Sequence, residues 1–243
     1  MTDPRAWLVQ DDAYGAQIAL REELLATRRD DVVAVTPGAE AAIEELYEAV
    51  LEWVRGAAAF RLEFGVCHCP DGRAVALDSD DKLGTMARLV QEDLCILQRS
   101  ADGTEHVLTA AVLCFPASWT LAEKIGRPLT RIHVPVAPYD DMMAKRVQRL
   151  FDNLRADTPL WRQNALLYAS PALFHPASEA KPRVRPEARP EFLRSERQCL
   201  LRLPRTDAVV FSIHTWVVPI GQLSTTQMAL LDEHSGHDAE RST

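Results

Sequence analysis

Arg194-Ser-Glu-Arg-Gln-Cys-Leu-Leu-Arg-Leu, then Pro204-Arg-Thr-Asp, then Ala208-Val-Val-Phe-Ser-Ile-His-Thr-Trp-Val-Val is the stretch that decides the architecture. In the first run charged and polar residues alternate imperfectly with apolar ones, the pattern of a strand with one face lining something polar. The second run is apolar and β-branched, and Pro204-Arg-Thr-Asp supplies the turn between them. Together they predict a long antiparallel hairpin. Glu196 and Arg197 stand out in it, because charges inside an otherwise apolar strand imply a polar cavity or a paired network; an edge-strand ion pair explains them equally well.

Outward from the hairpin, Leu94 to Gln98, Val107 to Phe115 and Ala165 to Ala169 also read as strands. Amphipathic helices are predicted over Ala39 to Ala59, with Ala42, Ile43, Leu46, Val50, Trp53 and Val54 on the dry face, and over Leu83 to Leu94. A third helix, Tyr139 to Leu154, carries Met142, Met143, Val147, Leu150, Phe151 and Leu154 on one stripe, best read as core packing. Residues 1–38 read as an N-terminal extension with a helix from Asp11 to Arg29, residues 39–232 as one domain, and residues 233–243 as a flexible tail. Residues 176–190 hold four prolines and read as an extended loop placed like a lid. Strands with helices segregated among them, without βαβ alternation, point to an α+β fold with an antiparallel sheet. No internal repeat and no Gly-rich phosphate loop after a strand is present.

The 243 residues are 47% hydrophobic, enough for a substantial core. Thirty-five acidic against 27 basic residues give a formal charge of −8, which argues against holding nucleic acid through its phosphates and suits a cationic substrate or a basic partner. The N-terminal sequence lacks the pattern of a secretory signal, and no run approaches the ~20 apolar residues of a membrane span. A cytoplasmic protein is expected. Five cysteines without disulfide-framework spacing agree with a reducing compartment.

Of the seven histidines, His68 lies in Cys67-His68-Cys69, which lacks a second ligand cluster at zinc-site spacing and reads as a loop with incidental soft residues. His133 sits in a proline-stiffened segment, Leu129-Thr-Arg-Ile-His-Val-Pro-Val-Ala-Pro, that holds the ring direction. On spacing alone it reads first as a buried, hydrogen-bonded packing residue. Glu92 and Asp93 read as the polar end of a helix before they read as functional carboxylates.

Residues 83–223 resemble the haem-dependent oxidative N-demethylase alpha subunit family. The resemblance is carried by Gln91-Glu-Asp-Leu-Cys-Ile-Leu, Phe115-Pro-Ala-Ser-Trp, Lys124-Ile-Gly-Arg-Pro-Leu, Ile132-His-Val-Pro-Val-Ala-Pro-Tyr, Trp161-Arg-Gln-Asn, Leu173-Phe-His-Pro and the run from Ser195 to Ile213, in that order. It implies a PAS-like antiparallel sheet with flanking helices over residues 39–232 that encloses haem b as a monooxygenase centre. It further implies a small methylated amine such as dimethylamine as substrate, dioxygen as oxidant, formaldehyde as a product, and flavin and iron-sulfur cofactors on separate reductase subunits. Under that resemblance His133 is the expected axial ligand to iron, because a fixed neutral imidazole suits that role. Glu196 is the expected carboxylate for the substrate ammonium, and Arg162, Asn164, Arg197 and Arg202 are expected at the propionates or in supporting hydrogen bonds.

The chain departs from the family pattern in two places. Where relatives read FTIRTY, this sequence has Phe211-Ser-Ile-His-Thr-Trp, so His214 replaces an arginine and Trp216 a tyrosine. The loss of a propionate contact, or a second haem ligand at His214, are the two readings. The second proline of the usual PVP is displaced by Ala137 to Pro138. A haem-binding PAS-like sensor, a non-catalytic interaction module and a haemless scaffold remain the alternatives to an oxygenase subunit.

Overall fold

The computed structural model describes residues 7–78, 80–133, 141–180 and 190–231, and the side chains of His133 and residues 141–145 lie outside that description. In chain order the elements are α1 (Tyr14–Thr27), α2 (Arg29–Val32), β1 (Val33–Val35), α3 (Glu40–Gly56), β2 (Arg61–Glu63), β3 (Val66–His68), β4 (Ala74–Ala76) and α4 (Lys82–Leu89). They continue with β5 (Asp93–Arg99), β6 (His106–Val112), α5 (Leu121–Lys124), α6 (Leu129–His133), α7 (Asp141–Asp152), β7 (Leu160–Tyr168), β8 (Phe192–Arg202) and β9 (Val209–Pro219).

The expected hairpin is β8 and β9, paired antiparallel from Phe192 opposite Pro219 to Arg202 opposite Val209. Its turn is closed by Leu203 N donating to Ala208 O at 2.8 Å, and Asp207 takes the left-handed conformation (φ 59°) that aspartate tolerates better than most residues. The Glu45 carboxylate of α3 accepts from Arg205 N, Thr206 N and the Thr206 hydroxyl, which fixes the turn to that helix.

Around the hairpin runs a six-stranded sheet in the order β1-β6-β5-β9-β8-β7, every neighbouring pair antiparallel. A separate three-stranded meander, β2-β3-β4, was not expected; three-residue strands are too short to show a period of two. The antiparallel sheet with segregated helices is the expected α+β architecture.

Strand alternation gives the large sheet two apolar faces. Leu94, Ile96, Ala110, Val112, Val210 and Leu201 pack with Ile18, Leu46, Val50, Met86 and Leu89 of α1, α3 and α4. Cys95, Leu97, Leu108, Ala111 and Val209 pack on the opposite face with Leu121, Leu129, Phe151 and Leu154 of α5, α6 and the α7 end. Each fully buried side chain of this size contributes about 1.5–3 kcal/mol through the hydrophobic effect, so both layers hold the sheet.

Residues 7–38, expected as an extension, are built into the first of these cores: Trp7, Leu8, Tyr14, Ile18, Leu24, Leu25 and Val32 are buried there, and β1 forms a sheet edge. The expected tail, residues 233–243, and residues 181–189 of the expected lid lie outside the described residues. The helix expected over 83–94 ends at Leu89, because Gln91, Glu92 and Asp93 turn into the protein and start β5. At its other end the Asp81 carboxylate caps Gly84 N at 3.1 Å, where a Cβ on Gly84 would collide with the cap. No helix among the described residues is long and apolar enough to cross a membrane.

Candidate functional site

One register position of the sheet carries a polar row across three strands: Asn164 of β7 stands opposite Glu196 of β8, which stands opposite Thr215 of β9. Because side chains alternate, Arg194, Gln198 and Arg162 share this face with them. Glu196 Oε1 accepts from Arg194 Nε at 3.0 Å, and Oε2 accepts from Gln198 Nε2 at 3.0 Å and Asn164 Nδ2 at 3.3 Å. Asn164 Oδ1 in turn accepts from Glu196 N at 3.0 Å, so the amide grips both the backbone and the carboxylate of its partner. Arg162 Nε donates to Gln198 Oε1 at 2.8 Å from the exposed rim.

Arg194 is 1% exposed and serves as the hub. Besides Glu196 it donates to Phe115 O at 2.6 Å and Leu173 O at 3.0 Å, and its guanidinium lies 5.8 Å from the centre of the Tyr168 ring. Tyr168 meets His175 edge to face with ring centres 5.3 Å apart. The His175 backbone bridges to the Pro116–Ser118 loop, donating to Pro116 O and accepting from Ser118 N. A fully donating guanidinium suits such a junction, since it offers five N–H groups in a fixed plane.

Behind this row, Lys124 of α5 donates to Ile132 O at 2.8 Å and to Glu179, and Glu123 accepts from Ser178 Oγ and Glu179 N. The end of α6, and with it the backbone of His133, is therefore held to the segment that carries His175. Four of the separated segments quoted from the sequence, Phe115-Pro-Ala-Ser-Trp, Trp161-Arg-Gln-Asn, Leu173-Phe-His-Pro and Ser195-Glu-Arg-Gln, meet around Arg194 and its neighbours. They converge although up to 80 residues separate them in the chain.

Among the expected site residues, Glu196, Arg162 and Asn164 share this face. The side chain of His133, the expected iron ligand, lies outside the described residues. Arg197 is on the opposite face, its guanidinium 5.1 Å from the Trp161 ring centre. Arg202 is on the same face but at the turn end, where it donates to Leu154 O at 2.7 Å, to Phe151 O and to Asp207 O. It neutralises the carbonyl end of α7, where a cation is favoured.

His214 is also on the opposite face and 1% exposed. Its Nδ1 lies 3.0 Å from Glu92 Oε1 and its Nε2 3.1 Å from Asp11 Oδ2, so both ring nitrogens are engaged by carboxylates. Burial alone would lower the imidazole pKa, but Glu92 and Asp11 override it and hold the ring above its ordinary value. Glu92 Oε1 also accepts from Val9 N, and Gln91 bonds Asp11 in both directions. His214 thus clamps residues 7–13 onto the sheet. Asp93 has a comparable structural part: it accepts from Arg21, Cys114 N and Phe115 N, with both charged side chains fully buried.

Sequence reasoning missed Arg194, Gln198, Tyr168 and Thr215. A strict period of two from Glu196 would have found the first two; Thr215 needed the strand register.

Three observations bear on whether these residues suit a haem. The Thr215 hydroxyl is fully buried and has no hydrogen-bond partner among the described residues, as has His175 Nδ1. Such orphaned groups are rare in proteins, and a water or a bound group satisfies them. His175 makes no side-chain hydrogen bond among the described residues, and an imidazole nitrogen left free is what iron requires. Arg162 at the rim supplies a cation of the kind that propionates take. These residues suit the group, with His175 as the imidazole whose buried nitrogen has no partner among the described residues; the side chain of His133 lies outside them.

A family model described as "Haem-dependent oxidative N-demethylase, alpha subunit-like" matches residues 1–236. With nearly the whole length matched, including the N-terminal segment built into the core, the chain belongs to the haem-dependent oxidative N-demethylase alpha subunit-like family.

Proposed function

We propose that this chain is the haem b subunit of a monooxygenase that demethylates a small methylated amine of the dimethylamine kind. The observation that carries the proposal is the convergence of the family's scattered segments on a buried carboxylate, Glu196, held by Arg194, Asn164 and Gln198. Haem supplies the activation of dioxygen when bound, with electrons arriving from flavin and iron-sulfur partner subunits.

The residues of this chain bind and orient. Glu196 uses three of its roughly four lone-pair positions on protein donors, which leaves one for the N–H of an ammonium. A carboxylate shielded from water attracts a small cation far more strongly than one in bulk solvent. Asn164 and Gln198 fix the plane of that carboxylate, and Arg162 at the rim would hold a propionate. His133, at the α6 end that Lys124 ties to the His175 segment, would hold the iron in this reading, and His175 is the alternative. The large sheet is the PAS-like cradle, and the acidic surface suits a basic reductase in the cytoplasm.

The test is amine-dependent formaldehyde release by haem-loaded protein supplied with a reductase. Turnover in the wild type and its loss in Glu196→Gln support the reading; haem retention without any turnover removes the enzyme. One observation favours the second reading, a haem-binding sensor or interaction module: Arg194 already neutralises Glu196 at 3.0 Å, so an ammonium must share the carboxylate.

A further inference from the structure

The meander β2-β3-β4 holds a feature the amine chemistry does not use. Cys67 in β3 and Cys69 just beyond it are both free thiols, 0% and 7% exposed, and they share one face of the extended chain. His68 between them is half-buried and, by alternation, faces the other way, so the three residues do not converge. Cys69 Sγ lies 3.7 Å from Cys67 O, turned back toward its neighbour, and Cys67 Sγ lies 4.0 Å from His68 O. The hairpin is pinned around them by Cys69 N donating to Arg73 O at 2.9 Å and by Gly72 N donating to Cys69 O at 3.0 Å.

We propose that Cys67 and Cys69 form a reversible dithiol–disulfide site oxidised by hydroperoxides, with Cys69 as the attacking sulfur and Cys67 as the resolving one. The geometry sets both roles. Cys69 is the more exposed of the two and sits beside the Arg73 guanidinium and the Tyr14 hydroxyl, whereas Cys67 is sealed in the core. The neighbouring Cys67 thiol holds the Cys69 pKa down at about 7 against the effect of burial, and Cys69 in turn pushes Cys67 up. A thiolate of this kind is the nucleophilic form.

The Cys69 thiolate attacks the terminal oxygen of the hydroperoxide, the O–O bond breaks, and the alcohol leaves with a proton. Cys69 becomes a sulfenic acid. The Cys67 sulfur then attacks the Cys69 sulfur, the S–O bond breaks, and water departs with the Cys67 proton. Overall two thiols give up two electrons and two protons, and the hydroperoxide is reduced to alcohol and water. Two residues of extended strand span roughly 6.6 Å between Cα atoms, near the upper end of what a disulfide bridges, so the product is strained and readily reduced. Cys95, Cys114 and Cys199 are buried elsewhere, with burial pushing each thiol up, and take no part.

The site does not depend on haem or on the amine reading. Full-length protein treated with tert-butyl hydroperoxide is expected to lose about 2 Da, the two hydrogens of one disulfide, and to regain them with dithiothreitol. The loss is expected in the tryptic peptide Leu62–Arg73, which contains both cysteines. In Cys67→Ser the reaction is expected to stop at a sulfenic acid on Cys69 that dimedone traps. A wild-type chain whose Leu62–Arg73 peptide keeps its mass, or a Cys69→Ser variant that leaves the same sulfenic acid on Cys67, overturns the proposal.

Discussion

Arg194 Nε lies 3.0 Å from Glu196 Oε1, with the two side chains 1% and 7% exposed and both on one face of the same strand. The pair joins the interior of the sheet to two loops, because the remaining Arg194 nitrogens bind Phe115 O and Leu173 O. Removing either partner leaves a buried charge without a counter-charge, while removing both leaves none. Arg194→Met is therefore expected to cost about 3–5 kcal/mol of stability, and the double change Arg194→Met with Glu196→Leu to recover most of it. Urea denaturation of the two variants measures the difference.

The clamp of His214 between Glu92 and Asp11 makes the docking of residues 7–13 depend on pH. The folded imidazole pKa is raised above its ordinary value of 6.5, so the stabilisation is fully present below 6.5 and is lost as pH rises through the higher folded value. The wild type is expected to lose stability over that interval, and His214→Gln is expected to flatten the profile there. Thermal melts between pH 5.5 and 9 read the effect. A separate loss is expected in acid, because the Asp11 pKa lies below 3.8: its contribution is present above that value and disappears as pH falls through the folded one.

Arg202 closes the last turn of α7 through Phe151 O and Leu154 O. Arg202→Met is expected to destabilise by roughly 1.5–3 kcal/mol, the scale of one charge-assisted hydrogen bond, since solvent can reclaim part of the freed carbonyls. Hydrogen exchange is expected to quicken in residues 146–155 and to stay unchanged in α3. A uniform increase across the chain would contradict a local capping role.

Glu45 binds the β8–β9 turn to α3 through three donors. Burial would raise its carboxyl pKa, but those bonds hold it below 4.5. Glu45→Ala is expected to cost about 1–3 kcal/mol, because the Arg205 and Thr206 amides lose their acceptor. Glu48→Ala, on the exposed side of the same helix, is expected to change stability by less than about 1 kcal/mol.

The hairpin and helices α3, α4 and α7 were legible because each buries one face, and burial imposes its period on the apolar residues. The helix expected over Asp11 to Arg29 is present as α1, but its place in the core was not legible, because α1 turns Gln17 and Arg21 inward, where backbone carbonyls satisfy them, and so breaks the apolar stripe. The candidate site was half legible. Glu196, Arg162 and Asn164 lie in segments that carry the family resemblance and meet through strand register. His214 was visible as a departure from the family pattern, but its partner Asp11 lies 203 residues away in the chain, and no local rule joins them.

Under the proposed function an imidazole of this chain receives haem iron, and an absorption titration of hemin into the purified full-length chain tests it most directly. A saturating Soret band at one equivalent is expected, shifted by dithionite and carbon monoxide, and lost in His133→Ala, with His175→Ala as the variant that identifies the alternative ligand. A wild-type chain that shows no Soret band, or one unchanged when both histidines are replaced, contradicts it.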